Sequence, residues 1–167
     1  ERVTDKAREM RQYQGKPIST DGPLVARYRD KQLTIERGTI VAGGSRLDIS
    51  GTLPLEEGGP AGTIKVDTRI DLASAMEYVP LDQPVTAQGT LLIQGTITGT
   101  LKRIDPNIAV SLENGYIDTA QLNPPLANIN LQAQVQGGTV DIQKLYADLG
   151  PASITASGEI PFSLLPA

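Results

Sequence analysis

The chain contains no cysteine and no histidine. The first absence excludes disulfides, thiolate metal sites and a cysteine nucleophile. The second removes the usual acid–base group of neutral pH and the commonest metal ligand. Tryptophan is missing too, and five Tyr and one Phe are the only aromatics among 167 residues. Apolar burial must therefore rest on Leu, Ile, Val and Ala. No apolar run approaches the roughly 18 residues that a membrane-spanning helix needs, and no signal-peptide pattern opens the chain. The abrupt ends, Glu1 and Pro166-Ala167, are those expected of a segment of a larger protein.

Clustered positive charge is also lacking, with a net charge of −4, which argues against a nucleic-acid partner because phosphate binding needs grouped Lys and Arg. The charge is uneven: residues 1–37 hold nine Lys/Arg against six Asp/Glu, and the remainder six against thirteen. This basic entry is read as a solvated helix end rather than a docking patch for an anionic surface. The helix is expected over residues 3–13, where Val3, Ala7, Met10 and Tyr13 form one stripe, closed by Gly15 and Pro17. Residues 1–27 are taken as helix and linker, and 28–167 as one β domain.

Beyond that point the apolar period is two, the signature of a half-buried strand. In residues 64–72, Ile64, Val66 and Ile70 alternate with Lys65, Asp67, Arg69 and Asp71. From 85 to 101, Val85, Ala87, Leu91, Ile93, Ile97 and Leu101 share a face with Gly89, Gly95 and Gly99, opposite a run of Thr and Gln interrupted by Leu92. That stretch exceeds a typical strand, so a bend or break is expected at Gly95 or Gly99. Three dipeptides are read as two-residue hairpin turns. Asn114-Gly115 would set Leu112 opposite Ile117, Gly137-Gly138 would set Val135 opposite Val140 and Ala133 opposite Ile142, and Gly43-Gly44 would set Ile40 opposite Leu47. A short helix capped by Asp71 is expected up to Val79, before Pro80. Gly58-Gly59-Pro60, Asp105-Pro106-Asn107 and Asn123-Pro124-Pro125 are read as further connections.

Residues 33–55 align without a gap on 140–162, with Ile35/Ile142, Gly43/Gly150, Ser50/Ser157, Gly51/Gly158 and Pro54/Pro161 identical. Self-similar strand pairs at a spacing suggest an elongated, stacked β architecture.

Catalytic groups are sparse. Glu56-Glu57 and the pair Asp67 and Asp71 are the carboxylates a glycosidase would need. The first sits in a glycine-rich turn, and the second alternates with Lys65 and Arg69 as a solvated strand face does. Asp48 and Asp105 to Asn107 offer hard oxygens, but no calcium-loop spacing surrounds them. Neither an enzyme nor a cofactor nor a metal is expected. The aliphatic face remains. It is either the core of a closed sandwich, barrel or solenoid, or an open groove for a flexible apolar ligand.

The strand, Gly turn and strand closing in Ser-Gly-x-aliphatic, at Leu33 to Leu53 and again at Val140 to Ile160, resemble the AsmA-like superfamily and within it the TamB family of the bacterial envelope. The stretch from Gly89 through Asp105-Pro106 to Leu112-Glu-Asn-Gly115 is similar to TamB repeats. The resemblance spans residues 28–162. It implies a mainly β fold, an elongated curved antiparallel-rich sheet folded around a hydrophobic groove, to which the residue pattern adds a short N-terminal helix and one further short helix. It also implies a periplasmic segment of an inner-membrane-anchored protein of a Gram-negative-type bacterium. Such a segment would pass phospholipid acyl chains toward the outer membrane, or assist outer-membrane protein assembly with a TamA-like partner. The groove would be lined by Ile40, Leu47, Ile49, Leu53, Leu55, Ile64, Val66, Ile70, Leu91, Ile93, Ile97 and Leu101. Val110, Leu112, Ile129, Leu131, Val135, Val140, Ile142, Ile154 and Ile160 would complete it. The alternative is a structural β-solenoid or adhesin-like module with a closed aliphatic core. Taken out of its protein, the segment would have unpaired edge strands able to self-associate.

Overall fold

A strand that alternates aliphatic and polar residues can bury one side only, so a chain made of such strands favours a sheet with one apolar face. A computed structural model describes residues 18–55, 61–79, 83–100 and 103–165. There the alternation becomes ten strands in one curved, unclosed antiparallel sheet. They are β1 (Ile18–Thr20), β2 (Val25–Arg29), β3 (Gln32–Ala42), β4 (Ser45–Pro54) and β5 (Gly62–Asp71), followed by β6 (Val85–Thr100), β7 (Arg103–Thr119), β8 (Leu122–Gln136), β9 (Thr139–Leu149) and β10 (Ala152–Pro161). From β3 onward each strand pairs with the next in sequence, while β1 and β2 share the outer edge of β3. The expected boundary at residue 28 falls inside β2, and the chain from residue 18 on belongs to the sheet. The expected helix over residues 3–13 lies outside the described residues, as do Glu56, Glu57 and Leu101.

Between β5 and β6 runs a helical turn, α1 (Leu72–Ala75), continued by a 3-10 turn at Met76–Tyr78. Asp71 stands at its N-cap, but its carboxylate accepts the Ser74 hydroxyl at 2.6 Å rather than a backbone N–H. The turn packs against the β3–β4 corner, where a Cβ on Gly43 would lie 3.0 Å from that of Ser74.

The Gly43-Gly44 and Gly137-Gly138 hairpins have the expected register, Ile40 facing Leu47 and Val135 facing Val140. Asn114-Gly115 is not a turn. β7 runs straight through it, and Leu112 pairs with Leu91 and Leu131 while Ile117 pairs with Ala87. The left-handed φ of +51° at Asn114 serves a β-bulge instead, because bulge and hairpin turn make the same demand on the backbone. Asp105 to Asn107 and Asn123 to Pro125 are likewise strand rather than connection. The β8 ladder reaches only to Asn107, so Pro106 has a neighbour on one side alone, where a missing N–H is tolerated.

Strand β6 is continuous across Gly89, Gly95 and Gly99, whose φ values of +120°, +154° and +128° crease it without breaking it. A Cβ on Gly51, Gly62, Gly95 or Gly99 would sit 2.1 Å from a carbonyl oxygen of the adjoining strand. Parts of β4 and β6, on either side of β5, come within 8 Å at Cα, whereas two steps across a flat sheet measure about 9.6 Å. The sheet therefore curls across β5.

The sequence echo is a structural repeat, and it is longer than the alignment. Strands β2 to β4 (25–54) map position by position onto residues 132–161, the end of β8 with β9 and β10. The bulge between Ile35 and Gly38 recurs between Ile142 and Leu145, and the left-handed turn Asp30-Lys31 recurs as Gly137-Gly138.

Candidate functional site

Antiparallel pairing places directly opposed residues on the same face, so the register builds the site row by row. One row crosses the sheet as Gly38, Ile49, Val66, Gly95, Ile108, Val135, Val140 and Ile160. The next reads Ile40, Leu47, Thr68, Ile93, Val110, Ala133, Ile142 and Gly158. A third joins Ile70, Leu91, Leu112, Leu131, Leu145 and Ala156. Ile64 and Ile97 oppose each other below them, Leu33 opposes Leu53, Ile129 opposes Gly115, and Ile154 opposes Ala147. All the expected lining residues that lie in described strands thus share one face. Leu55 follows β4 half-buried, its N–H donating to the Lys31 carbonyl at 2.8 Å.

The face is greasy but not sealed. Ile64, Ile129, Ala133 and Ala147 are the buried apolar residues among those described, and no side chain is less than 2% exposed. Most of the others are half-buried, and Ile154 on the outer strand is 42% exposed. α1 is the one α-helix among the described residues, and it packs against β5, β6 and the β3–β4 corner.

Several residues of this face escape sequence reading. Ile104 and Ile108 flank the Asp-Pro-Asn that reads as a connection, and Leu126 follows Asn-Pro-Pro. Leu145 and Ala147 are out of step with Ile142 because a bulge at Gln143 shifts β9 by one residue. Polar residues at aliphatic spacing on either side of a bulge would be the signal to look for.

The opposite face is braced by polar contacts. Arg46 bonds Asp48 at 2.8 Å and Asp21 at 2.9 Å, tying the β1–β2 loop to β4. Those bonds raise the Arg46 pKa above its ordinary value, and the bonds from Arg46 and then Thr39 hold Asp48 below the usual carboxylate range. Asp148 is lowered in the same way by hydrogen bonds from Asn128, Tyr146 and Ser153, at 2.8, 2.7 and 3.0 Å. A depression of about 560 Å³ on this face is lined by Arg37, Arg46, Lys65, Asp48, Asp67 and Gln94 among others. Its carboxylates are engaged, Glu36 by Arg27 at 3.0 Å, Asp48 by Arg46 and Asp67 by Gln94 at 3.2 Å. Asp67 and Asp71 sit on this solvated side.

Among the described residues, no group of three or more carboxylates could hold a metal ion, and no helix is long and apolar enough to cross a membrane. The chain matches no protein-family model, no curated protein and no solved structure. The distinguishing property of the sheet is a broad aliphatic face lying opposite a predominantly polar one, on which Leu92 pairs with Arg69 and Ser111.

Proposed function

We propose that this chain is a segment of a periplasmic, TamB-like envelope protein whose aliphatic face forms a groove for phospholipid acyl chains. The observation that carries this reading is a single unclosed sheet with its aliphatic rows on one face and, among the described residues, no side chain fully buried. An apolar surface of this extent, left uncovered by the described residues, costs free energy in water and marks a ligand or partner site. Leu, Ile and Val with almost no aromatics suit a flexible hydrocarbon chain better than a flat ring. Each methylene taken out of water contributes about 0.8 kcal/mol, whatever the headgroup. Burial alone then retains a lipid while leaving it free to slide. In the same reading the segment belongs to an inner-membrane-anchored protein that works with a TamA-like partner at the outer membrane, and it performs no catalysis.

The test is a photo-crosslinking residue placed on either side of β6 in living cells. At Leu91 or Ile93, on the aliphatic face, it captures phospholipid, whereas at Thr90 or Gln94, on the polar face, it does not. Capture from both faces alike, or from neither, refutes the groove.

A further inference from the structure

Among the described residues, the structural repeat leaves one place without a neighbouring strand. β10 occupies in the second copy the place that β4 holds in the first, residue for residue from Ser45/Ala152 to Pro54/Pro161. β4 is paired on both sides, with β3 and with β5, whereas β10 is paired only with β9 among the described residues. The glycine that makes room for β5 has its counterpart on β10. At Gly51, with φ +131°, a Cβ would lie 2.1 Å from the Thr63 carbonyl oxygen and 2.9 Å from the Ile64 Cα. Gly158 holds the same unusual conformation, φ +147°, with nothing within 4 Å of that position. Such a backbone favours glycine at a cost in chain entropy, and on β4 the close approach of a neighbouring strand explains it.

The outer edge of β10 is also lightly defended. It is ten residues long, carries a single charge, Glu159, and has its one Pro at the last position. At the opposite edge the chain is split between β1 and β2 by a loop containing Pro23, and Arg27 and Arg29 flank the pairing line. Split strands, prolines and charges are what sheets use to block further pairing.

We infer that the outer edge of β10 is a binding site for a partner strand of the β5 pattern. That strand runs antiparallel to β10, with Gly and aliphatic residues on the greasy face and Thr and charged residues on the other. Transferring the β4–β5 register gives its alignment: Ile154 opposite the position of Thr68, Thr155 opposite Asp67, Ala156 opposite Val66, Ser157 opposite Lys65 and Gly158 opposite Ile64. The docked strand would extend the aliphatic face by one row and add main-chain hydrogen bonds along the edge. This inference does not rest on the lipid reading, since strand pairing needs the backbone edge and not an acyl chain.

The probe is a synthetic peptide of residues 61–72 added to the full chain. The chain has no cysteine of its own, so Thr155→Cys in the chain and single cysteines in the peptide report register through disulfide formation in a thiol redox buffer. The peptide carrying Asp67→Cys is captured about tenfold more than peptides carrying Lys65→Cys or Arg69→Cys, as a pairing fixed by several hydrogen bonds requires. Two further peptides, N-methylated at alternate residues on one edge or the other, give a readout that needs no change in the chain. Only the set whose methyl groups face β10 loses binding. Equal capture at all three positions, no capture, or equal binding of the two methylated peptides overturns the inference. So does a chain that forms Thr155→Cys homodimers in preference to taking the peptide, which would make a second copy the occupant.

Discussion

Gly51 and Gly137 both have positive φ, +131° and +58°, yet they hold different kinds of place. Gly51 faces a carbonyl oxygen that a Cβ would meet at 2.1 Å, and Gly137 has open space around it. Gly51→Ala therefore combines backbone strain with a collision against β5, and is expected to cost about 2 kcal/mol or more in urea unfolding. Gly137→Asn meets no atom, and Asn tolerates the left-handed turn, so it is expected to stabilise by about 0.5 kcal/mol through the unfolded chain. Equal effects at the two sites would mean that the crease at Gly51 is not set by the neighbouring strand.

At the scale of the element, the bulge decides which side chains join the aliphatic face. Leu112, Val110 and Ile108 occupy even positions of β7, while Ile117 beyond the bulge occupies an odd one. The extra residue at Asn114-Gly115 is what keeps both halves on the same face. Its legibility was partial: the residues announce a positive φ, but a turn and a bulge both require it, and only the pairing of β7 with β6 and β8 along both halves separates them. Deleting Asn114 forces one half of β7 to present its aliphatics to the polar side. A loss of about 3 kcal/mol or more, or loss of cooperative unfolding, is expected. One Gly inserted at the exposed Gly137-Gly138 turn serves as the control and is expected to cost less than about 1 kcal/mol.

At the scale of the whole molecule, the sheet stays open and its apolar face lies on one side. Replacing Ile93 by Arg distinguishes an open groove from a closed core. On an open face the long side chain carries its guanidinium to water along its aliphatic stem, so the circular dichroism spectrum and cooperative melt are retained while lipid capture at Leu91 falls. In a closed core the same charge would be buried without a partner and the chain would unfold. Unfolding of Ile93→Arg is thus the outcome that favours the solenoid alternative.

The sequence by itself determined the mainly β character, two of the hairpins, and which aliphatics alternate together within each strand, because a period of two and a left-handed turn pair are local properties. It also carried the repeat, through Gly43/Gly150 and Ser50-Gly51/Ser157-Gly158. Only the tertiary structure decided that Asp105 to Asn107 and Asn123 to Pro125 are strand and that bulges at Asn114 and Gln143 bring out-of-step aliphatics onto one face. It also decided that, among the described residues, no strand lies on the outer side of β10 beside Gly158. These depend on which strand lies alongside which, and proline tolerance, bulge position and edge exposure are properties of neighbours rather than of the residues themselves.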